Sequence, residues 1–341
     1  MKLTRLGEFG LIEKLRRIAP TSPNVRIGIG DDAAWTKLKT GSVLITADLL
    51  LENVHFNLDW TSSFDLGYKA LAVNLSDIAA MGGIPAFLIL SLGVPSHFDS
   101  SQLEKLYQGI RSLALKHNVA LVGGDISLAE TLLISPCLIG HAPYRPISRS
   151  GAKIDQDIYV TGTLGDSALG LRLLKAKPRR VSKSIAAHLL LRHRKPTPRL
   201  AVGELLAREK LATAMIDISD GLLQDLGHIC KASKVGALIS EENLPLSFAY
   251  RRLAGRNGRQ YALTGGEDYE LLFCARRRDR KRVEQLQRRV KVPISRIGAC
   301  VAAREGIVVL DCSGNAVSFR GKGHDHFKKE TPLTRWMTTA L

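Results

Sequence analysis

The chain has 341 residues, more than one core usually fills, so two domains are expected. Apolar residues make up 45% and charged residues 24%, which excludes a disordered chain. No apolar run approaches the roughly 20 residues of a membrane span. The net charge is +17 and is unevenly spread: residues 1–150 hold 14 Lys/Arg against 13 Asp/Glu, and the remainder holds 35 against 19.

In chain order the apolar pattern predicts a helix over 7–18, a strand over 43–46 and a helix over 64–81. A strand over 86–92, a helix over 100–117 and strands over 120–122 and 131–139 follow. The segment 141–151 holds Pro143 and Pro146 and has no periodicity, so it is read as the boundary between domains spanning 1–143 and 144–330, with a tail at 331–341. Beyond it come a strand over 158–161, helices over 166–175 and 199–209, a strand over 214–216, a helix over 221–232, a strand over 271–274, a helix over 279–290 and a strand over 307–310. This mixture is an α/β (α+β) architecture. The densest basic run, Arg276 to Arg282, has no interleaved aromatic residues to stack on bases, so it reads as a solvated helix face and nucleic acid is not expected as a partner. Cys137, Cys230, Cys274, Cys300 and Cys312 form no C-x-x-C pair, which leaves zinc and thioredoxin-like chemistry unsupported. Scattered thiols, and Glu8 and Glu13 where a signal peptide needs an apolar stretch, indicate a cytoplasmic protein without a membrane association.

Acidic residues recur where strands end or helices begin. They stand in Gly30-Asp31-Asp32, Thr46-Ala47-Asp48, Asn74-x-x-Asp77, Gly123-Gly124-Asp125 and Asp217-Ile218-Ser219-Asp220-Gly221. Gly28-x-Gly30-x-x-Ala33 nearly matches a dinucleotide fingerprint, but Asp31 and Asp32 would stand where the pyrophosphate must lie. No Walker A sequence occurs, so any ATP is bound without a P-loop. Singly, Asp31 or Asp32 fits a turn and Asp220 fits an N-cap to helix 221–232. Asp77 lies on a helix strip among Leu75, Ile78 and Met81, where a carboxylate needs a partner. Together the acids suit magnesium, a hard ion that shares carboxylates with substrate phosphates. In Thr264-Gly265-Gly266-Glu267-Asp268-Tyr269-Glu270 the glycines admit close approach and the adjacent acids are expected to face it.

These residues, in this order, resemble the thiamine-monophosphate kinase family of the aminoimidazole-ribonucleotide synthetase superfamily. The likeness runs through GEFGLI (7–12), GIGDDAA (28–34), TADLLLENVHF (46–56), YKALAVNLSDIAAMG (68–82), GGD (123–125), RSGAK (149–153), DIYVTGTLGDSALGL (157–171), IDISDGLLQDLGHI (216–229), GGEDYELLF (265–273) and DHF (325–327). It implies a two-domain synthetase-like fold, an N-terminal mixed-sheet domain that dimerises and holds magnesium and ATP, and a C-terminal α/β domain that completes the site. It implies direct in-line transfer of the ATP γ-phosphoryl to thiamine monophosphate, the last step of thiamine diphosphate formation, with several magnesium ions. Residue by residue, Asp32, Thr46, Ala47, Asp48, Asp77, Asp125, Asp217 and Asp220 match metal positions. Tyr107, Gly124, Asp125, Arg149 and Ser219 match nucleotide positions, and His55, Glu267 and Gly321 match the thiamine-phosphate side. No general base is assigned, because the accepting phosphate oxygen is already anionic.

The chain departs from the family at Ile126-Ser127-Leu128, where a hydroxyl and a basic residue are replaced, and at Gly321, where the family has an aromatic residue; a weaker Michaelis constant is expected. Alternatives are another ATP-using synthetase of the superfamily and a degenerate relative that binds nucleic acid through its basic half. A selenophosphate synthetase would carry a reactive Cys near its start, whereas the first here is Cys137; a hydrogenase-maturation relative would end in Cys, whereas this chain ends Thr-Thr-Ala-Leu.

Overall fold

The computed structural model describes residues 25–27, 31, 34–38, 41–98, 100–176, 181–255 and 258–317. The helix expected at 7–18 and the site residues Asp32 and Gly321 lie outside the described residues. Two seven-stranded sheets organise the rest.

The first sheet takes β1 (Val25–Ile27), β2 (Ala34–Leu38), β3 (Gly41–Ala47), β4 (Leu50–Leu51), β5 (Ile84–Val94), β6 (Ala120–Leu128) and β7 (Leu133–His141). Its order is β1-β2-β3-β7-β5-β6, with β4 also on β7. Strands β5 and β6 are parallel, and α2 (Ser100–Lys116) makes the crossover that such a pair requires. Helix α1 (Ser63–Ala80) precedes β5. The Ser62 hydroxyl accepts the Asp65 N–H at 3.1 Å and caps α1. Apolar residues surround α1 on all sides, and it is accordingly a buried helix.

The second sheet runs β14 (Ala316–Val317), β13 (Ile307–Leu310), β10 (Val235–Ser240), β12 (Ile294–Ala302), β8 (Asp157–Thr161), β11 (Leu271–Ala275), β9 (Ala212–Asp217). Around it pack α3 (Asp166–Ala176), α4 (Lys183–Arg194), α5 (Leu200–Arg208), α6 (Leu222–Ser233), α7 (Phe248–Leu253), α8 (Arg259–Thr264) and α9 (Arg280–Val290). Residues 142–156, between the sheets, carry no helix or strand.

Strand alternation sorts this second sheet between two cores. Tyr159, Met215, Leu271, Phe273 and Ala275 join a cluster that also contains Leu71 and Ile78 of α1 and Leu206 of α5. Their neighbours Ile158, Val160, Ala214, Ile216, Leu272 and Cys274 turn to the opposite face, against α3 and α6. Helix α1 is thus the shared centre of the molecule. Gly203 of α5 permits this closeness, since a Cβ there would lie 2.0 Å from the Ala79 carbonyl oxygen of α1.

Several arginines of the densest basic run have acidic partners within the chain. Within the run, Arg276 and Arg282 pair with Asp279, Arg277 with Asp155, and Arg280 holds Asp157 through two bonds of 2.6 and 2.7 Å. Among the described residues no helix is long and apolar enough to cross a membrane.

Candidate active site

The site forms where α1 meets the ends of β3 and β9. Thr46 and Ala47 close β3, and the Asp48 N–H donates to the Pro136 carbonyl at 3.2 Å, which fixes the chain as it leaves the sheet. The Thr46 hydroxyl donates to Asp77 Oδ2 of α1 at 2.5 Å. One residue earlier on that helix, the Ser76 hydroxyl donates to Asp217 Oδ2 at 2.6 Å. Asp217 ends β9, so this buried bond joins the two sheets through α1. Burial pushes the Asp48 carboxyl up to about 6.

Tyr269 lies at the meeting point of these acids. Burial holds its phenol far above the ordinary range, and the charges of Glu267, Asp48, Asp217 and Asp77 add to that. Like charges ~4–6 Å apart repel by about 3–4 kcal/mol at an effective dielectric of 20. Two loops build this corner by zipping together. Ile218 N–H donates to Glu270 O at 2.8 Å, Tyr269 N–H to Ile218 O at 2.8 Å, and Glu267 N–H to Ser219 O at 2.7 Å. Glu267 and Tyr269 occupy the left-handed region at φ 66° and 51°, a strained conformation for both residue types that the surrounding bonds enforce.

The three acids of the Glu267–Glu270 segment have different partners, which corrects the expectation that the adjacent Glu267 and Asp268 face a ligand together. Asp268 accepts the Gly165 and Ser167 N–H groups at 2.6 and 3.3 Å and so occupies the N-terminus of α3. Glu270 is fully buried and receives Arg192, two bonds from Arg199, and the Thr161 hydroxyl, all at 2.5–2.6 Å. Glu267 remains at the site, with Lys69 Nζ 2.6 Å from Oε1 and His193 Nδ1 3.1 Å from Oε2. Burial alone would raise its pKa, but Lys69 and His193 outweigh that and hold it far below the usual range.

Asp220 follows β9 and does not cap α6. Gly221 is the N-cap residue, and Asp225 Oδ2 accepts the Asp220 and Gly221 N–H groups at 3.2 and 3.1 Å. Ligand atoms of Asp220, Asp225 and His228 all lie within 4.8 Å of one another. Burial first, then the charges of Asp220 and Asp217, drives the Asp225 carboxyl well above the ordinary range, so this trio borders the main group of acids.

Other expected residues have partners of their own. His55 follows β4, and its Nδ1 accepts the Leu51 N–H at 3.0 Å, which assigns the neutral ring's proton to Nε2. The Arg149 N–H donates to Asp31 Oδ2 at 3.2 Å, with Arg149 Nε 3.7 Å from Oδ1. Tyr107 of α2 lines a shallow groove with Glu104, Arg111 and Leu121.

Asp125 is exposed on β6, and the Ser127 hydroxyl is 3.4 Å from its Oδ2. Asp48 bonds to Pro136, Pro136 pairs with Leu90, and Leu90 pairs with Gly124. Three strand spacings therefore separate Asp48 from the Gly124–Asp125 pair, about 14 Å. Gly124 is required where it stands, since a Cβ there would lie 1.8 Å from the Leu90 carbonyl oxygen.

Lys69, Ser76, Tyr269, His193, Asp225 and His228 escaped the sequence reading. Lys69 carried a usable signal, a cation inside Tyr68-Lys69-Ala70-Leu71-Ala72-Val73, where a buried ammonium demands a carboxylate. His193 carried none.

Comparison with known proteins agrees with this arrangement. Residues 30–142 match the AIR synthase related protein N-terminal domain, and residues 153–311 match the corresponding C-terminal domain. The thiamine-monophosphate kinase of Bacillus subtilis (strain 168) is 37% identical, covering 95% of this chain and 100% of that protein. That of Escherichia coli (strain K12) is 40% identical, covering 94% and 98%. The solved structure of AaThiL complexed with AMPPCP and TMP superposes with a TM-score of 0.82 at 34% identity, covering 96% of this chain and 99% of that one. A two-sheet fold, an oxygen-rich site between its halves and near-full-length likeness to these enzymes lead to one conclusion: the chain belongs to the thiamine-monophosphate kinase family of AIR synthase related proteins.

Proposed function

We propose that this protein transfers the γ-phosphoryl group of ATP to thiamine monophosphate, giving thiamine diphosphate and ADP. The observation that carries the reading is the pair of bonds, Thr46 to Asp77 and Ser76 to Asp217, that joins the ends of β3, α1 and β9, with Asp48 following β3. The donor set fits magnesium: it is made of oxygen atoms, its acids repel one another, and Asn74, one helical turn before Asp77, has a fully buried Oδ1 without a partner among the described residues. Thr46, Ala47, Asp48, Asp77, Asp217 and Asp220 would hold the ions, with Asp32 added from the family likeness. Bound magnesium neutralises charge on the transferring phosphoryl oxygens.

The chain's own residues then orient the reactants. The Thr46 and Ser76 hydroxyls fix the Asp77 and Asp217 carboxylates. Arg149, Ser219 and Tyr107 serve the nucleotide, with Arg149 suited to pair with phosphate. His55 and Glu267 serve the acceptor, whose phosphate oxygen attacks without proton removal.

The active form in this reading is a homodimer in the cytoplasm. All nine residues of the edge strand β6 are exposed, among them Leu121, Val122, Ile126 and Leu128, and Phe87 of the neighbouring β5 adds apolar area. Such an edge invites pairing with a second copy. The 14 Å gap calls for the same thing, because a second copy can supply Gly124 and Asp125 where the first cannot. The N-terminal sheet domain is then the magnesium, ATP and dimer domain, and the C-terminal one completes the nucleotide and acceptor site.

A coupled assay for thiamine diphosphate with ATP, magnesium and thiamine monophosphate tests the reading. Product from the wild type and none from a folded Asp77→Asn supports it. No product from a folded wild type that still binds ATP defeats it.

A further inference from the structure

The carboxylates at the junction of the two halves are held in different ways. Hydroxyl groups grip Asp77 and Asp217. Glu267 is gripped by a lysine. Lys69 comes from α1, and its side chain, 5% exposed, reaches across the junction of the two halves to bring Nζ within 2.6 Å of Oε1. From the opposite side α4 supplies His193, buried, with Nδ1 3.1 Å from Oε2. The Ser167 hydroxyl is 3.1 Å from that same Nδ1. Because serine and glutamate share one ring nitrogen, these three residues do not form a hydrolytic relay, which needs one partner on each nitrogen. They do fix the imidazole.

A carboxylate balanced by a buried ammonium gains little from a divalent ion, and its geometry is already set. Resting on the kinase reading, we infer that Lys69 and His193 are positioning residues that withhold Glu267 from the metal-binding set and reserve it for recognising the acceptor. Glu267 retains 28% side-chain exposure, enough to touch a ligand while both its oxygens stay anchored. The left-handed backbone at Glu267 turns its side chain toward α1, where Lys69 meets it.

The test uses full-length Lys69→Met, Lys69→Arg, Glu267→Gln and the Lys69→Met/Glu267→Gln double variant. Steady-state kinetics are measured with thiamine monophosphate varied, and Mn2+ binding without nucleotide is measured by calorimetry. In Lys69→Met, the KM for thiamine monophosphate is expected to rise roughly tenfold or more, with kcat within about threefold of wild type. Lys69→Arg is expected to stay within about threefold on both, and the double variant to be no worse than Glu267→Gln, as groups acting through one another require. Mn2+ affinity is expected to rise about threefold or more in Lys69→Met, where Glu267 becomes available, but not in Lys69→Arg or the double variant. An unchanged KM in folded Lys69→Met, additive losses in the double variant, or an unmoved Mn2+ affinity would each overturn the inference. If Lys69→Met does not fold, Lys69→Gln, which keeps a donor without the charge, is read by the same criteria. A wild type that makes no thiamine diphosphate sinks the kinase reading instead, and the Mn2+ titration then decides the clamp alone.

Discussion

Replacing Glu270 by Gln removes one negative charge from the point where Arg192 and Arg199 converge. Glu270 has no exposed surface, and it accepts one bond from Arg192, two from Arg199 and one from the Thr161 hydroxyl. An amide keeps the shape but turns an NH2 group toward a guanidinium and leaves two cations in low dielectric without their counterion. Breaking one side of a buried ion pair costs about 3–5 kcal/mol. Domains of this size lose roughly 2–4 °C of melting temperature per kcal/mol, so a fall of about 6–20 °C is expected. The variant is measured by calorimetric melting and by urea unfolding at pH 7. The loss also has a pH signature. Burial raises the Glu270 pKa, but Arg199 and Arg192 outweigh this and hold it below its ordinary value. A depressed carboxylate contributes stability above its unfolded pKa, and that contribution disappears as pH falls through the folded one. The gap between wild type and Glu270→Gln should therefore be widest at neutral pH and close under acid. A gap under about 1 kcal/mol at pH 7 would refute the reasoning.

Further outcomes follow from other contacts. Asp268 is pushed by burial to about 8, so the folded protein binds a proton there that the unfolded chain releases near pH 4; wild type should lose stability relative to Asp268→Asn as pH rises from 4 to 8, and parallel urea midpoints at pH 5 and 8 would contradict this. Gly203→Ala drives a methyl toward the Ala79 carbonyl, so urea unfolding should report a loss of about 1–3 kcal/mol, with activity falling as α5 shifts from α1. If a second copy supplies Asp125, mixing inactive Asp125→Asn and Asp77→Asn subunits restores about a quarter of wild-type activity, because half the dimers carry one intact site; no recovery after verified subunit exchange would mean that both acids act within one chain. Gly321→Trp should lower the KM for thiamine monophosphate by restoring the family's aromatic surface, and an unchanged KM would count against that role.

The acids at Asp48 and Asp217 were legible because each ends an apolar strand, a pattern that needs only local periodicity. Asp77 was legible as a charge inside an apolar helix. Asp125 was legible as a motif but not as a location. Strand order places β7 between β3 and β5 and leaves β6 at the edge, and nothing within 120–128 encodes that neighbourhood. Strands β10 and β12 went unread: the Ala232–Lys234 link is too polar and brief to announce β10, and Ser295, Arg296 and Gly298 interrupt the apolar pattern of β12. Helix α4 was hidden by its cations, whose partners lie far along the chain. Arg192 and His193 pair with Glu270 and Glu267, on a loop more than 70 residues later. Lys69 carries a local sign of burial in the apolar stretch that follows it, but its partner Glu267 lies in the other half of the chain and is not encoded nearby.

The sharing of α1 between two sheets has a consequence for how the chain is made. Leu71 and Ile78 leave the ribosome long before Met215 and Phe273, which complete their core. Ser76 and Asp217 are separated by 141 residues. At about 5–20 residues per second, α1 waits roughly 7–28 s for its partner strand. During that interval the nascent first half displays an apolar helix and an unpaired edge strand together, which makes it a natural client for holding chaperones until translation delivers the second sheet.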